Sequence, residues 1–235
     1  MPNTYFQFKQ FRIEQGQTAM KVTTEGCLLG ALVSLEGSEQ QILDIGTGTG
    51  LLALMIAQRS EAKIDAVELS SDAANQSTGN FDNSPWSERL SVWNGAIQEF
   101  ASVADQKYDL IVSNPPFFKG HLKSGKAKDQ AIHSDDLSLE DLCQSVINLL
   151  KQKGLLWVIY PSYEFDQMVE VAKSQGLLLQ KQFEIYDRPE KSIFRKVGVF
   201  GCYKQDEPES EVIFIKEENG TYSDRFQGLV APYYL

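Results

Sequence analysis

From residue 41 onward, short apolar runs alternate with segments whose apolar residues recur three and four positions apart. Short apolar runs are typical of buried strands, and the second pattern indicates helices. The strands that we predict in this way are residues 42–45, 64–69, 90–93, 110–113 and 155–160. Helical patterns separate most of these strands, at residues 51–58, 72–81, 139–150 and 164–174. The alternation predicts a doubly wound α/β fold, a mostly parallel sheet covered by helices on both faces.

Both ends of the chain depart from this alternation. The aromatic and apolar residues at positions 6, 8, 11 and 13 alternate with polar ones, which predicts a short hairpin or edge strand with an aromatic inner face. Residues 27–32, preceded by Thr24 and Glu25, have a small-residue apolar pattern that predicts a helix. After Gly176 come three strands without intervening helices, at residues 177–186, 197–203 and 212–215, and we expect them to pair antiparallel. A terminal helix is a candidate for residues 222–235. We expect one domain over residues 1–235, with an N-terminal cap (1–35) on a core (36–235).

Composition narrows the class of protein. The chain has 235 residues, of which 42% are hydrophobic, enough for a full core. Its longest apolar runs fall far short of the ~20 residues of a membrane helix, and its N-terminus lacks the pattern of a signal peptide, so we expect a cytoplasmic protein without a membrane partner. Cys27, Cys143 and Cys202 are too far apart for a disulfide framework or a zinc site, and we expect no metal.

The glycines at positions 46, 48 and 50 directly follow a predicted strand. Glycine lets the backbone turn tightly and approach a ligand where a β-carbon would collide. Glu68 ends the next strand, at a spacing that suits an acid accepting hydrogen bonds from both hydroxyls of a ribose. Together these residues favour a nucleotide-type cofactor over a plain strand-to-helix turn.

Asp44 distinguishes between cofactors. A carboxylate inside the glycine loop would repel a pyrophosphate, but it can serve the cationic methionine end of S-adenosylmethionine. The sequence therefore favours S-adenosylmethionine, with S-adenosylhomocysteine as product, over a nicotinamide dinucleotide. The alternative is that Asp44 only caps the following helix or orders the turn.

A second motif, Asn114-Pro115-Pro116-Phe117, closes a strand at the carboxyl edge, where open α/β sheets bind ligands. An exocyclic amine conjugated to a ring is a poor nucleophile, because its lone pair is delocalised. The Asn114 side-chain oxygen and the Pro115 carbonyl could accept its two hydrogens and aim the lone pair at a methyl donor. The prolines hold the backbone rigid, and Phe117 offers a face on which a base can stack. The motif predicts an amine methyltransferase; alone, it could also be a strand-ending turn.

Charge confines any nucleic-acid contact to a part of the surface. The net charge of −10 argues against binding over the whole surface, since phosphate contacts need Lys and Arg. The densest basic stretch lies next to the proline motif, and its residues are candidate phosphate contacts or solvated side chains: Lys119, His121, Lys123, Lys126 and Lys128. His133 is a further candidate substrate contact. A second basic group is an equal candidate for a simple surface coat: Lys181, Arg188, Lys191, Arg195 and Lys196.

At these residues the chain resembles the bacterial tRNA1(Val) adenine-N6 methyltransferases. The resemblance covers nearly the whole chain, including residues 20–26 and 28–31, and its most specific parts are the opening, residues 6–11, and the stretch 21–26. It also includes the glycine loop, residues 65–69, residues 84–86 and residues 113–118. These last motifs are shared by many amine methyltransferases.

The resemblance implies a Rossmann-like methyltransferase that methylates the N6 amine of the adenine 3′ of the anticodon. Its partner would be the anticodon stem-loop of a tRNA, with no obligate protein partner. The implied cofactor contacts are Lys21, Val22, Thr23, Asp44, the loop glycines, Glu68, Leu69, Ala96, Ile97 and Asn114. Many members carry an acid at the position of Ala96 that binds the adenine amine of the cofactor, so in this chain that contact must come from backbone or from a neighbour such as Gln98.

Three other functions stay open from the sequence. Methylation of a protein glutamine uses a related Asn-Pro-Pro-Tyr motif, although Phe117 and the basic stretch favour a base. Methylation of the guanine 2-amine in ribosomal RNA is compatible with the same motif. A noncatalytic RNA-binding module is the alternative of a different class, and the retained Asp44, Glu68 and Asn114 argue against it.

Overall fold

The computed structural model describes residues 3–18, 20–115, 137–204 and 207–235. Strands β1 (Tyr5–Gln7) and β2 (Arg12–Glu14) form an antiparallel hairpin apart from the main sheet. The side chains of Phe8 and Ile13 are fully buried, which confirms the predicted inner face. Helix α1 (Thr24–Leu32) follows.

The middle of the chain alternates strands and helices. Its elements are β3 (Gln41–Ile45), α2 (Leu51–Ala57), β4 (Lys63–Glu68), α3 (Ser71–Asp82), β5 (Leu90–Asn94), α4 (Ile97–Val103), β6 (Tyr108–Ser113), α5 (Leu139–Leu149), β7 (Leu150–Tyr160) and α6 (Ser162–Ser174). The end of the chain adds β8 (Leu178–Tyr186), β9 (Ile193–Gly201), β10 (Glu209–Phe214) and α7 (Asp224–Val230). Helix α4 was not among the predicted helices, and α7 is shorter than the predicted terminal helix.

The main sheet has the strand order β10-β8-β9-β7-β6-β3-β4-β5. The strands from β3 to β7 pair parallel with one another, whereas β9 pairs antiparallel with both β7 and β8. This sheet confirms the mostly parallel doubly wound architecture and the antiparallel pairing of the first two late strands.

The predicted antiparallel pairing of the third late strand is wrong, because β10 pairs parallel with β8. After β9 the chain reverses direction, so β10 runs antiparallel to β9. Its hydrogen-bonding neighbour is β8, however, which is itself antiparallel to β9. Two strands that both oppose β9 run in the same direction.

Side chains that alternate along each strand build a core on each face of the sheet. In β6, Leu110 and Val112 pack in the core that contains residues of α1, α2 and α7, and Ile111 packs in the core of α4, α5 and α6. Asp44 lies beside Val112 in the strand register. By the same alternation, Asn114 continues the face of α1 just past the end of β6. Helices on both faces complete the predicted architecture.

No helix in the described part of the chain is long and apolar enough to cross a membrane. The division into a cap (1–35) and a core (36–235) stays a prediction.

Candidate functional site

The glycine loop joins β3 to α2 in a backbone that other residues adopt only with strain. Gly46, Gly48 and Gly50 have φ angles of 70°, 56° and 83°. A β-carbon on Gly46 or Gly48 would meet no heavy atom of the described chain within 4 Å, whereas one on Gly50 would lie 2.5 Å from Cε1 of Phe81. Gly46 and Gly48 therefore border open space that a ligand could fill, and Gly50 allows α3 to pack against the loop.

Asp44 is completely buried at the start of this loop. Its Oδ2 accepts hydrogen bonds from Thr47 Oγ1 at 2.6 Å and from the backbone N of Ala53 at 3.2 Å, so Asp44 does order the turn and hold the first turn of α2. Its buried Oδ1 has no hydrogen-bond partner among the described residues. Burial raises the pKa of Asp44 to about 7, and the hydrogen bond from Thr47 partly opposes the shift. A cation beside Oδ1 would stabilise the ionised form.

Glu68 connects the end of β4 to the glycine loop. Its Oε2 accepts a hydrogen bond from the backbone N of Gly48 at 2.9 Å, and its Oε1 accepts one from the backbone N of Ser70 at 2.9 Å. Each carboxylate oxygen can accept a second hydrogen bond. Glu68 can thus hold the loop and still accept hydrogen bonds from a ribose.

The end of β5 forms the far side of this site. Asn94 donates from Nδ2 to the carbonyls of Glu68 and Leu69, and the Leu69 side chain is 54% exposed. Ala96 is the N-cap residue of α4 and has no side-chain acceptor. The Ile97 side chain is buried in the core, so only its backbone is available to a ligand.

Asn114, the first residue of the Asn-Pro-Pro-Phe acceptor motif, lies beside the first turn of α1. Oδ1 of Asn114 is buried and has no hydrogen-bond partner within the described ranges. A β-carbon on Gly26 would lie 3.7 Å from Asn114 Nδ2. Thr23 caps α1 by accepting a hydrogen bond from the N of Gly26 at 3.1 Å. The structure thus brings the stretch before α1 close to Asn114.

Of the other two residues of that stretch, Val22 donates its backbone N–H to Oε1 of Gln15 at 2.9 Å, and the side chain of Lys21 is exposed. Pro115, the last described residue of the acceptor motif, is buried. The remaining predicted site residues lie outside the described residues: Pro116, Phe117, Lys119, His121, Lys123, Lys126, Lys128 and His133. Their roles stay predictions.

Most of the second basic group is engaged with carboxylates of the protein itself. The ion pairs are Lys181 with Glu209 and Glu211, Arg188 with Asp187, Arg195 with Glu25, and Lys196 with Asp166. A cation that already has a carboxylate partner gains less from a phosphate. These pairs favour a structural role for the group over the binding of RNA.

Asn80, on α3, is a positioning residue that the sequence analysis missed. It is 2% exposed, and its Nδ2 donates to the carbonyl of Thr49 at 2.8 Å and to that of Glu14 at 2.9 Å. Its Oδ1 accepts from the N of Glu14 at 2.9 Å. One amide therefore ties the glycine loop to the N-terminal hairpin. An Asn inside an amphipathic helix carries no signal of such a role without knowledge of which elements pack together.

The similarity of the chain to known methyltransferases agrees with the geometry of the candidate site. Residues 24–186 match the family model of the methyltransferase small domain. The chain is 44% identical over 236 residues to a protein of Cytophaga hutchinsonii named tRNA1(Val) (adenine(37)-N6)-methyltransferase, with 100% of this chain and 99% of the relative covered. A protein of Christiangramia forsetii with the same name is 41% identical over 239 residues, with 100% and 99% covered.

Among solved structures, the chain is similar to an Agrobacterium tumefaciens protein described as a predicted O-methyltransferase. The TM-score is 0.69, with 18% sequence identity, and the match covers 88% of this chain and 96% of that one. At this identity the likeness concerns the fold alone. It agrees with the Rossmann-like methyltransferase architecture expected from the sequence. Among the described residues, no group of three or more His, Cys, Asp or Glu side chains could hold a metal ion.

Proposed function

The chain belongs to the methyltransferase small domain family and, within it, to the tRNA1(Val) (adenine(37)-N6)-methyltransferases, and from this membership we propose that it methylates the N6 amine of an adenine in tRNA. The adenine would be the one directly 3′ of the anticodon of tRNA1(Val). One structural observation carries the proposal. A buried acceptor that has no hydrogen-bond partner among the described residues, Asn114 Oδ1, lies at the carboxyl edge of the sheet, just past the strand that pairs with β3.

The residues of the loop fit S-adenosylmethionine. Asp44 keeps one buried oxygen without a partner in the described part of the chain, which suits the cationic methionine end, and the space that the described residues leave open at Gly46 and Gly48 allows the ligand to approach the backbone. Glu68 would accept hydrogen bonds from the ribose. Leu69 offers an exposed apolar surface beside them for the adenine. When bound, S-adenosylmethionine supplies an electrophilic methyl group.

The acceptor motif would orient the amine. Asn114 Oδ1 and the Pro115 carbonyl accept the two hydrogens of the amine, which favours a pyramidal nitrogen whose lone pair is free to react. An acceptor that is already desolvated and fixed needs no reorganisation during the reaction. No strong base is required before transfer, because the nitrogen becomes acidic once it is cationic. Phe117 would stack on the adenine.

A tRNA anticodon loop suits such a site. The target base must leave its stack to reach a buried acceptor, and this costs least in a single-stranded loop. The protein carries a net charge of −10, so the RNA must be held by a local basic surface. We assign this surface to the stretch from Lys119 to Lys128, because most of the second basic group is already paired with carboxylates.

The proposed function is tested by incubating the protein with labelled S-adenosylmethionine and total RNA from cells that lack the enzyme. The labelled RNA is purified and digested to nucleosides. We expect the label in N6-methyladenosine from one tRNA species. Label in N2-methylguanosine of ribosomal RNA, or in protein glutamine when a cell extract replaces the RNA, would contradict the proposal. No label in any fraction, with cofactor binding intact, would point to a noncatalytic RNA-binding module.

A further inference from the structure

An ion pair between Glu25 and Arg195 joins α1 to β9. Glu25 Oε1 and Arg195 Nη2 are 2.7 Å apart, and the two side chains are only 16% and 18% exposed. No other ion pair in the described part of the chain has both partners shielded to this degree. Partly buried ion pairs have a definite geometry, and each partner is costly to remove. The contact joins segments that lie far apart in the sequence.

The position of this pair relates it to the acceptor site. Glu25 is the second residue of α1, and the next residue, Gly26, is the one whose β-carbon would lie 3.7 Å from Asn114 Nδ2. The first turn of α1 therefore packs directly on the amide that would hold the substrate amine. Arg195 lies on β9, one residue before Lys196, which pairs with Tyr160 at the end of β7. The pair thus lies at the carboxyl edge of the sheet, and its Glu25 directly precedes the residue that packs on Asn114.

Other polar contacts at the start of α1 are short in range or come from the same end of the chain, apart from a hydrogen bond between the side chains of Cys27 and Tyr234. Thr23 caps the helix by a hydrogen bond to Gly26, and Gln15 holds Val22. Both partners belong to the first 23 residues, so neither contact fixes the turn relative to the sheet. Gly26 also packs on Leu51 of α2, a nonpolar contact without directional preference. Among these contacts, only the ion pair of Glu25 with Arg195 joins a polar side chain of the first turn of α1 to a strand of the sheet.

We propose that Glu25 and Arg195 are a positioning pair, which holds the first turn of α1 against Asn114 and thereby fixes the acceptor for the substrate amine. The inference rests on the proposed function, since the acceptor matters only for an amine substrate. Neither residue needs to touch the cofactor or the reacting atoms. A misplacement of about 1 Å at an acceptor can lower the rate by as much as 100-fold. Loss of the pair should therefore lower turnover more than it weakens binding.

Four variants test the pair: Glu25→Gln, Arg195→Gln, the double variant and Arg195→Lys. We expect each Gln variant to lower kcat for tRNA methylation on the order of 10-fold or more, with little change in KM for tRNA or in the calorimetric affinity for S-adenosylhomocysteine. The double variant should be no worse than the single ones, because both remove the same contact. Arg195→Lys keeps the charge and should retain most of the activity.

Lys196→Gln is the matched control. Lys196 is the neighbour of Arg195 on the same strand, but its ion pair is with Asp166 of α6, on the opposite face of the sheet. Its loss removes the same charge from the same strand without affecting α1. The control should resemble the unaltered protein in kcat.

A readout that needs no activity follows the turn directly. Cys27, two residues after Glu25, is fully buried, and so is Cys143 of α5 in the other core. We expect a thiol reagent, followed by peptide mass spectrometry, to label Cys27 faster in both Gln variants than in the control. Labelling of Cys143 should stay slow, because general unfolding would expose both thiols.

Three results would overturn the inference. Kinetics and Cys27 labelling equal to those of Lys196→Gln would show that the pair fixes nothing. A raised KM and a weaker salt dependence in Arg195→Gln, without an effect of Glu25→Gln, would make Arg195 a phosphate contact. The protein itself could also prove inactive on tRNA. If Cys27 labelling is then unchanged in the Gln variants, both the positioning pair and the proposed function are ruled out. If the labelling is faster in these variants, only the proposed function is ruled out.

Discussion

The carboxylate of Glu68 accepts a hydrogen bond from the backbone N–H of Gly48 at 2.9 Å, so the proposed ribose acceptor also fixes the loop that approaches the cofactor. Replacing Glu68 by Ala should remove both effects. A hydrogen bond to a charged acceptor contributes about 1.5–3 kcal/mol, so we expect S-adenosylhomocysteine to bind at least about tenfold more weakly. Isothermal calorimetry measures this affinity directly.

Asp72→Ala is the control for Glu68. Asp72 is an exposed acid in the first turn of α3, close in sequence to Glu68, and it carries the same charge. Equal affinities in both variants and in the unaltered protein would show that Glu68 is only a structural acid at the end of a strand.

Asn114→Ala should lower kcat on the order of 10²–10³-fold, the usual effect of removing one oriented hydrogen-bonding group from an active site. The affinity for S-adenosylhomocysteine should change little, because Asn114 Oδ1 is proposed to meet the substrate amine. Single-turnover methylation of tRNA, combined with calorimetry, separates the two effects. Near-normal turnover in this variant would rule out the proposed mechanism.

The buried Asp44 predicts that cofactor binding depends on pH. Burial raises its pKa to about 7, so much of the free protein carries a neutral Asp44 at pH 6. A cationic ligand favours the ionised form, so binding should release a proton and become tighter from pH 6 to pH 8. Calorimetry in two buffers with different heats of ionisation counts the proton. Asp44→Asn should bind more weakly and release no proton; an unchanged proton count in this variant would assign the release to another group.

The raised pKa of Asp44 also makes the stability of the free protein depend on pH, in the direction opposite to that of cofactor binding. Because the pKa of Asp44 is higher in the folded than in the unfolded state, its contribution to stability is present below pH 4 and is lost as the pH rises through 7. Urea unfolding at pH 6 and pH 8 should show a smaller loss of stability in Asp44→Asn than in the unaltered protein.

Gly50 and Phe81 give a prediction about stability. Gly50→Ala forces a left-handed conformation, with φ at 83°, and places a β-carbon 2.5 Å from Phe81. Gly37 is a matched control, since it has a φ of 80° and no heavy atom within 4 Å of its β-carbon position. We expect Gly37→Ala to cost about 1–2 kcal/mol and Gly50→Ala to cost about 1–3 kcal/mol more, as measured by urea unfolding. Equal costs would mean that Phe81 moves aside without penalty.

Local periodicity predicted most of the strands and helices, and it failed where the local pattern was weak or where long-range packing decides. Helix α4 buries only Ile97 and Phe100, too few apolar residues for a helical period to stand out. Strand β7 begins at Leu150, five residues before the predicted start. The apolar pattern missed this beginning because residues 151–153 are polar. The direction of β10 depends on which strand is its neighbour, and this cannot be deduced from its own residues.

In the candidate site, too, the features set by local sequence could be predicted and those set by long-range packing could not. Motifs that follow directly on strands, such as the glycine loop and Asn114, could be located because the ends of parallel strands meet at one edge of the sheet. The contacts that fix these motifs could not be predicted. Asn80 reaches Thr49 and Glu14, and Glu25 reaches Arg195, across segments that only the folded chain brings together.

The last prediction concerns the lysines proposed to contact the phosphates of tRNA. Replacing Lys119, Lys123, Lys126 and Lys128 by Ala should raise the dissociation constant for tRNA and leave cofactor binding unchanged. An acidic protein can hold a polyanion only through local positive charge, and this stretch directly follows the acceptor motif in the sequence. Each phosphate contact to a single strand contributes about 0.7 to the slope of log K against log salt concentration, so loss of all four should lower the slope by about 3.

A second variant supplies the control for this slope, with Lys181, Arg188 and Lys196 replaced by Ala. These three cations are paired with carboxylates, so their loss should change the slope little. Filter binding of tRNA from 50 to 300 mM salt measures both variants. A large effect of the control and none of the four lysines would move the RNA surface to the second basic group. If neither variant changes the slope or the affinity, the protein does not bind tRNA through these phosphate contacts. That result would favour methylation of a protein glutamine, which needs no phosphate contact.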